Sequence, residues 1–253
     1  MSNALRKIRA LALKDIVDLV KNPTMLAVIL MPIGFMLLFR IILGDTAADA
    51  ALTGAEADVV SGAFQKFLLG SGLCMSVGMV ASMVLIYGIA EEKEQHTLRT
   101  LMLANVSAGE VAASKGAVAL VAVVAVGTAC FAIVGGSAAL LLSYLVLTIL
   151  GAAPVILVSL VLGLASRDQM TAGFYSVPVL LVALMPTFGM VNETIETVGS
   201  FTPLGGVYHL LELAADGQLL TGDAFAPLAV TAAWIALGAA AFTALFRRLA
   251  RDN

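Results

Sequence analysis

Six stretches of this chain, 24–44, 67–90, 111–134, 138–165, 171–191 and 225–246, run for about twenty residues or more with almost no charge. Segments of that length and polarity have few ways to fold. About 20 apolar residues in a helix cross the ~30 Å hydrocarbon core of a bilayer. Inside hydrocarbon, only helices and closed barrels satisfy their own backbone N–H and C=O groups. The pattern predicts an all-α polytopic membrane protein with six transmembrane helices, folded as one domain over 1–253. Composition agrees: 60% of residues are hydrophobic and 12% charged, where soluble chains carry about 25% charge. The net charge of −3, with no basic patch interleaved with aromatics, points away from a nucleic-acid partner. Cys74 and Cys130 lie inside apolar runs and read as small buried hydrophobes rather than a disulfide or a metal site.

Between the spans, local signals set the organisation. Residues 4–21 are amphipathic, with Leu5, Ile8, Ala12, Ile16 and Leu19 at spacings of three and four and Arg6, Lys7, Arg9 and Lys14 elsewhere. This predicts a helix lying in the membrane interface, or else packed on the protein's own loops. Their polar start, with no small-residue cleavage site after a short apolar core, does not read as a cleaved signal. Asn22-Pro23-Thr24 ends the helix. Arg40, near the far end of the first span, is placed to snorkel to headgroups or to pair with Asp45. A polar loop is expected over 45–65. Ser107 and Glu110 have the spacing of a capping box opening the third span, with Lys115 still near the interface. Gly135-Gly136-Ser137 and Ser166-Arg167-Asp168-Gln169 read as turns, and Pro178 and Pro186 predict a bent fifth span. Within 192–224, Thr202-Pro203 starts a short helix ended by Gly217, interfacial or re-entrant because it is too short to span.

Charge then orients the bundle. With the N-terminus in the cytoplasm, twelve of the fourteen Lys and Arg fall on the cytoplasmic side, leaving Arg40 and Lys66, while the outer segments carry nine acids. The opposite orientation breaks the positive-inside rule. Both ends are therefore expected in the cytoplasm of a cell (inner) membrane protein.

The longest strongly charged run is 91–110, where spans two and three turn around. A simple connection needs only a few residues. Leu98, Leu101 and Met102 fall at i, i+3 and i+4 on a short helix after Thr97, with Glu91, Glu92, Glu94, His96 and Arg99 as ionic or polar flanks. That shape suits a groove on a partner, or a solvated loop whose leucines dip into the interface. Met75, Met79 and Met83 form a stripe at i, i+4 and i+8 that lines a hydrophobic path or simply packs. The small residues of the spans permit close helix contact and a dimer. No acid sits at mid-membrane, against a proton- or sodium-coupled carrier and in favour of an amphipathic or apolar cargo.

Six spans, a preceding amphipathic helix and a charged loop between spans two and three resemble the permease subunit of type V ABC exporters, the bacterial drug, antibiotic and peptide export permeases. That family often carries E-x-G-T-L-E-x-L-L-x-x-P-V in the loop, followed by Glu and Lys. Here Glu94, Thr97, Leu98, Leu101, Val106, Glu110 and Lys115 match, while His96 stands for Gly, Arg99 for Glu and Asn105 for Pro. The resemblance implies an N-terminal elbow helix, a cytoplasmic coupling helix in 91–110 and short extracellular helices before span six. It implies two copies of a separate ATPase that bind ATP and Mg and dock on Glu91, Glu92, Glu94, His96, Thr97, Leu98, Arg99, Leu101 and Met102. It also implies a second permease chain, identical or related, and a path bordered by spans two and five, adding Phe174, Met185 and Phe188 to the methionines. The chain carries no cofactor site of its own: nothing matches the phosphate-cradling G-x-x-x-x-G-K-[ST], since Ser114-Lys115-Gly116 lacks the glycine spacing. The rival readings are a secondary transporter, an immunity or sensor partner, and an intramembrane enzyme. For the last, Glu91-Glu92 and His96 give only a faint EExxxR-like pattern, with His209 expected on the other side of the membrane.

Overall fold

A computed structural model describes residues 3–49, 55–103 and 106–249. Among them there are helices and turns and no strand. Six helical segments are long and apolar enough to cross a membrane: Pro23–Ile42, Val60–Glu94, Ala108–Val134, Ala138–Ala165, Gln169–Val191 and Gly222–Phe246. The described residues form an all-helical chain with the six apolar helices of a multi-pass membrane protein.

The chain opens with α1 (Asn3–Lys21), broken from α2 (Pro23–Asp49) at Asn22, whose side-chain oxygen caps the new helix by accepting from the N–H of Thr24 at 3.0 Å. The second span is α3 (Ala55–Met75), a π-helical stretch at Ser76–Ala81, and α4 (Ser82–Glu94). A short α5 (Thr97–Leu103) leads to α6 (Ala108–Val134), then α7 (Ala138–Ala165) and α8 (Gln169–Leu184). A 3₁₀ turn at Met185–Val191, α9 (Glu193–Ser200) and α10 (Gly205–Ala215) precede the final α11 (Phe225–Leu249).

One expectation needs correction. The loop expected over 45–65 is largely helical, because α2 runs on to Asp49 and α3 begins at Ala55, twelve residues before position 67. Polar residues do not end a helix that neighbouring turns still support. Arg40, near the far end of the first span, is exposed and donates to the Ile133 carbonyl in the last turn of α6. In the fifth span Pro178 stays inside α8, and the helix tightens to 3₁₀ where Pro186 enters.

The second span is the centre of the bundle. Its most apolar window is 78% buried, against 11–50% for the other five spans. Small residues make this possible. A Cβ placed on Gly78 would stand 2.8 Å from the Ala183 Cβ, so α8 lies directly against the π stretch there. Gly70 does the same for the Tyr208 ring, which packs on α3 where any side chain would stand. Tyr208 belongs to α10, which buries Val207, Leu210 and Leu211 among α3, α7 and α11. The short helix expected before span six therefore sits inside the bundle, and a second one, α9, precedes it, capped by Asn192 accepting from the N–H of Thr194 at 2.7 Å.

The six passes separate two ends. At one are α1, the ends of α4 and α7, the starts of α6 and α8, and Phe246 of α11, which packs with Leu85, Ile89, Leu160 and Leu164. At the other, Lys66 pairs with Asp216, Gln65 donates to the Gly135 carbonyl at 3.1 Å, and Trp234 Nε1 donates to the Phe201 carbonyl at 2.7 Å.

Candidate functional site

The strongest concentration of chemistry lies where α1, packed along α6, faces the end of α4. Lys14 Nζ donates to Glu92 Oε1 at 2.9 Å, and Lys115 Nζ of α6 stands 3.3 Å from the same oxygen. Lys115 also approaches Asp15 at 3.6 Å, and Lys14 approaches Asp18 at 3.4 Å. Glu92 and Lys115 are 7% and 8% exposed, so neither charge is tolerable alone and each holds the other. The helices cooperate by geometry. The apolar Leu5, Leu13, Ile16, Val17 and Val20 of α1 are exposed, while its Lys7 and Asp15 are half-buried. Two turns earlier, Lys7 reaches Glu110 at 3.8 Å.

The setting moves the protonation equilibria of α1. Burial of Lys14 works against its charge, but the Glu92 hydrogen bond and the carboxylates of Glu92, Asp15 and Asp18 outweigh it and raise its pKa. Burial raises the Asp15 pKa, with the Glu92 charge adding to it and Lys115 and Lys14 opposing. Burial wins at the carboxylate and pairing wins at the ammonium, because Lys14 keeps one side open to solvent.

Beside this cluster opens a cavity of about 550 Å³. From α1 it takes Lys14, Asp15, Asp18 and Lys21, from α4 Glu91 and Glu92, and Lys115 closes the end. Its floor is apolar: Met25, Val84, Leu85 and Val118. Glu92 Oε2 is buried and has no hydrogen-bond donor among the described residues.

The same end of α4 carries the turn into α5. Gln95 N–H donates to the Glu91 carbonyl and His96 N–H to the Lys93 carbonyl, each at 3.0 Å. His96 then adopts φ 57°, a left-handed conformation that glycine takes freely and other residues rarely. Thr97 Oγ1 donates to the Glu92 carbonyl at 3.1 Å, fixing the start of α5 to the charged cluster. Lys93 Nζ donates to the Leu164 carbonyl at 2.7 Å, and Glu94 Oε2 accepts from the Gln169 N–H at 3.2 Å, tying the turn to the α7–α8 connection. At the start of α6, the capping box is formed in both directions: Glu110 N–H donates to Ser107 Oγ at 3.2 Å and Ser107 N–H to Glu110 Oε2 at 2.8 Å.

The residues assigned to partner contact thus divide. Glu92 and Thr97 face inward and hold the turn, while Glu94 and His96 are exposed and Glu91 and Leu101 are half-buried. Leu103, not among them, is 82% exposed. The side chains of Leu98, Arg99 and Met102, and all of Asn105, lie outside the described residues. Among the path residues, Met79 is buried, Met75, Met83 and Met185 are half-buried, and Phe174 and Phe188 are exposed. None of the six lines the charged cavity.

Sequence reading missed Asp15, the inward role of Lys14 and the depth of Lys115. A lone lysine in an apolar run was the available signal, and the carboxylate it needs lay in a different helix. Among the described residues, no group of three His, Cys, Asp or Glu is arranged to hold a metal ion. A second ionic patch lies at the opposite end, where His209 Nδ1 meets Glu212 at 3.0 Å beside Lys66, Asp216 and Asp223. No protein-family model matches the chain, and no curated protein matches it.

Proposed function

We propose that the chain is the membrane-spanning permease subunit of an ATP-driven exporter of the type V ABC class, with a separate ATPase docking on 91–110. The observation that carries this reading is the tethering of α5. A seven-residue helix between spans two and three is held at its start by Thr97 on the Glu92 carbonyl and at its end by Val106, whose N–H donates to the Leu101 carbonyl at 3.1 Å. A passive connection has no need of such anchoring. A helix that must pass a push from a soluble motor into spans two and three does, because slack at either end would absorb the displacement.

In this reading two permease chains and two ATPase subunits assemble in the cell membrane with both permease termini in the cytoplasm, and α1 is the elbow helix with Leu13, Val17 and Val20 in lipid. ATP and Mg bind to the ATPase, whose closure displaces α5. The charged cluster joins that displacement to α1, α4 and α6 together, and the spans rock to release an amphipathic or apolar cargo outward. The test is a mild-detergent pull-down of the tagged chain from its own cells. The expected result is a stoichiometric soluble subunit with a phosphate-binding loop, lost on Leu101→Asp while the spans stay folded. Recovery of the chain alone, under conditions that keep other membrane complexes intact, overturns the proposal.

A further inference from the structure

We propose that the cavity between α1 and α4 is a binding site for an amphiphile bearing a primary ammonium group, seated with its nitrogen on Glu92 and its apolar part on Val84, Leu85, Met25 and Val118. The site is ligand-directed on two independent grounds. The first is Glu92 itself. Its Oε1 is engaged by both Lys14 and Lys115, yet its Oε2, which is buried, has no donor among the described residues. An unmet carboxylate oxygen is costly in a buried setting and is relieved by a donor carrying positive charge.

The second ground is the make-up of the walls. Four carboxylates face three lysines around the cavity, an excess of one negative charge. Two of those lysines are already committed, Lys14 to Glu92 and Asp18 and Lys115 to Glu92 and Asp15. An added cation restores balance, whereas an added anion deepens the misfit. The apolar floor lies directly beneath the polar wall, and its volume of about 550 Å³ is that of a small-molecule site. One end charged and one end apolar is the chemistry of an amphiphile. Two sources share it: an ammonium lipid headgroup, whose phosphate would reach Lys21 at the α1 end of the cavity, and a free cationic amphipathic solute. Gln95 and Thr97 also line the cavity, so an occupant touches the turn that carries α5. The site does not depend on the transport reading, since it is built entirely from this chain.

The test uses the purified full chain in maltoside micelles without any partner subunit. Octylammonium, octanol and octanoate are titrated in turn, with heat release read against protein-free micelles. Octylammonium is expected to bind at least about tenfold tighter than the other two, the scale of one charge-assisted hydrogen bond. Glu92→Gln keeps the size of the side chain and removes its charge. Gly88→Leu keeps every charge and fills the cavity, since a Cβ there meets only Lys115 Nζ, at 3.9 Å. Both are expected to abolish the preference. Equal binding of the three compounds by the unaltered chain overturns the proposal without recourse to any variant, as does full octylammonium affinity in folded Gly88→Leu. Competition by added phosphatidylethanolamine identifies a lipid headgroup as the occupant, and its absence identifies a soluble amphiphile.

Discussion

Lys14 and Glu92 are 78 residues apart in the chain, and Lys14 Nζ lies 2.9 Å from Glu92 Oε1. That contact fastens the helix outside the bundle to the most buried span within it. The two partners are unequal: the Lys14 side chain is 46% exposed and that of Glu92 10%. Removing Glu92 strands Lys115 in a buried site, whereas removing Lys14 leaves Glu92 with Lys115. Glu92→Ala is therefore expected to destabilise the chain by about 3 kcal/mol, and Lys14→Ala by about 1 kcal/mol or less after solvent screening. Denaturant unfolding in mixed micelles measures both, and equal losses would refute the assignment of Glu92 as the hub.

His96 offers a test in the opposite direction. A side chain at φ 57° carries a left-handed penalty that glycine escapes. His96→Gly should raise stability by up to about 1 kcal/mol, and His96→Val should lower it by more. Thermal transitions of the three proteins should follow the order Gly, His, Val. The reverse order would mean that the His96 side chain makes a contact that outweighs its backbone.

The approach of Gly78 to Ala183 predicts a compensating pair. Gly78→Ala places two methyl carbons 2.8 Å apart and should cost about 1–3 kcal/mol. Ala183→Gly removes the obstruction, so the double variant should recover most of that loss. A double-mutant cycle reads the coupling, and simple additivity would show that the helices separate instead.

At the other end of the bundle, the hydrogen bond to Glu212 raises the pKa of His209, burial opposes it, and the charges of Glu212 and Glu196 add to the rise. Lys66, Asp216 and Asp223 complete its surroundings. A folded pKa above 6.5 means that the protonated form is favoured in the native state. The stabilisation is complete below pH 6.5 and is lost as pH climbs through the raised value. Melting temperatures across pH 5 to 9 should fall through that window in the unaltered chain, and the slope should flatten in His209→Gln.

Length and polarity alone were enough to place six membrane helices, because hydrocarbon leaves a backbone so few options. Ser107 and Glu110 announced the start of α6 for the same reason: a cap is a local contract between residues three apart. What stayed hidden was of two kinds. The partners Lys14, Asp15, Glu92 and Lys115 come from three helices, and no local pattern relates them. The π stretch Ser76–Ala81 changes the hydrogen-bond step from four residues to five without changing composition, so a run of Ser, Val, Gly, Met and Ala reads the same either way. The helix α9 is polar and short, with only Asn192 to signal it.

The π stretch leaves the second span with slack in its register. A wider turn holds more residues per repeat than the α-helix around it, so removing one residue within Ser76–Ala81 can be absorbed by tightening that turn, with the flanking segments keeping their phase. Removing one from α4 has no such reserve. Every side chain beyond the deletion would rotate by about 100° relative to the segment before it, and Glu92 would swing away from Lys14 and Lys115 together. The tolerance of this span to length change is thus concentrated in six residues at its buried middle, about three turns before the charges that its register keeps aligned.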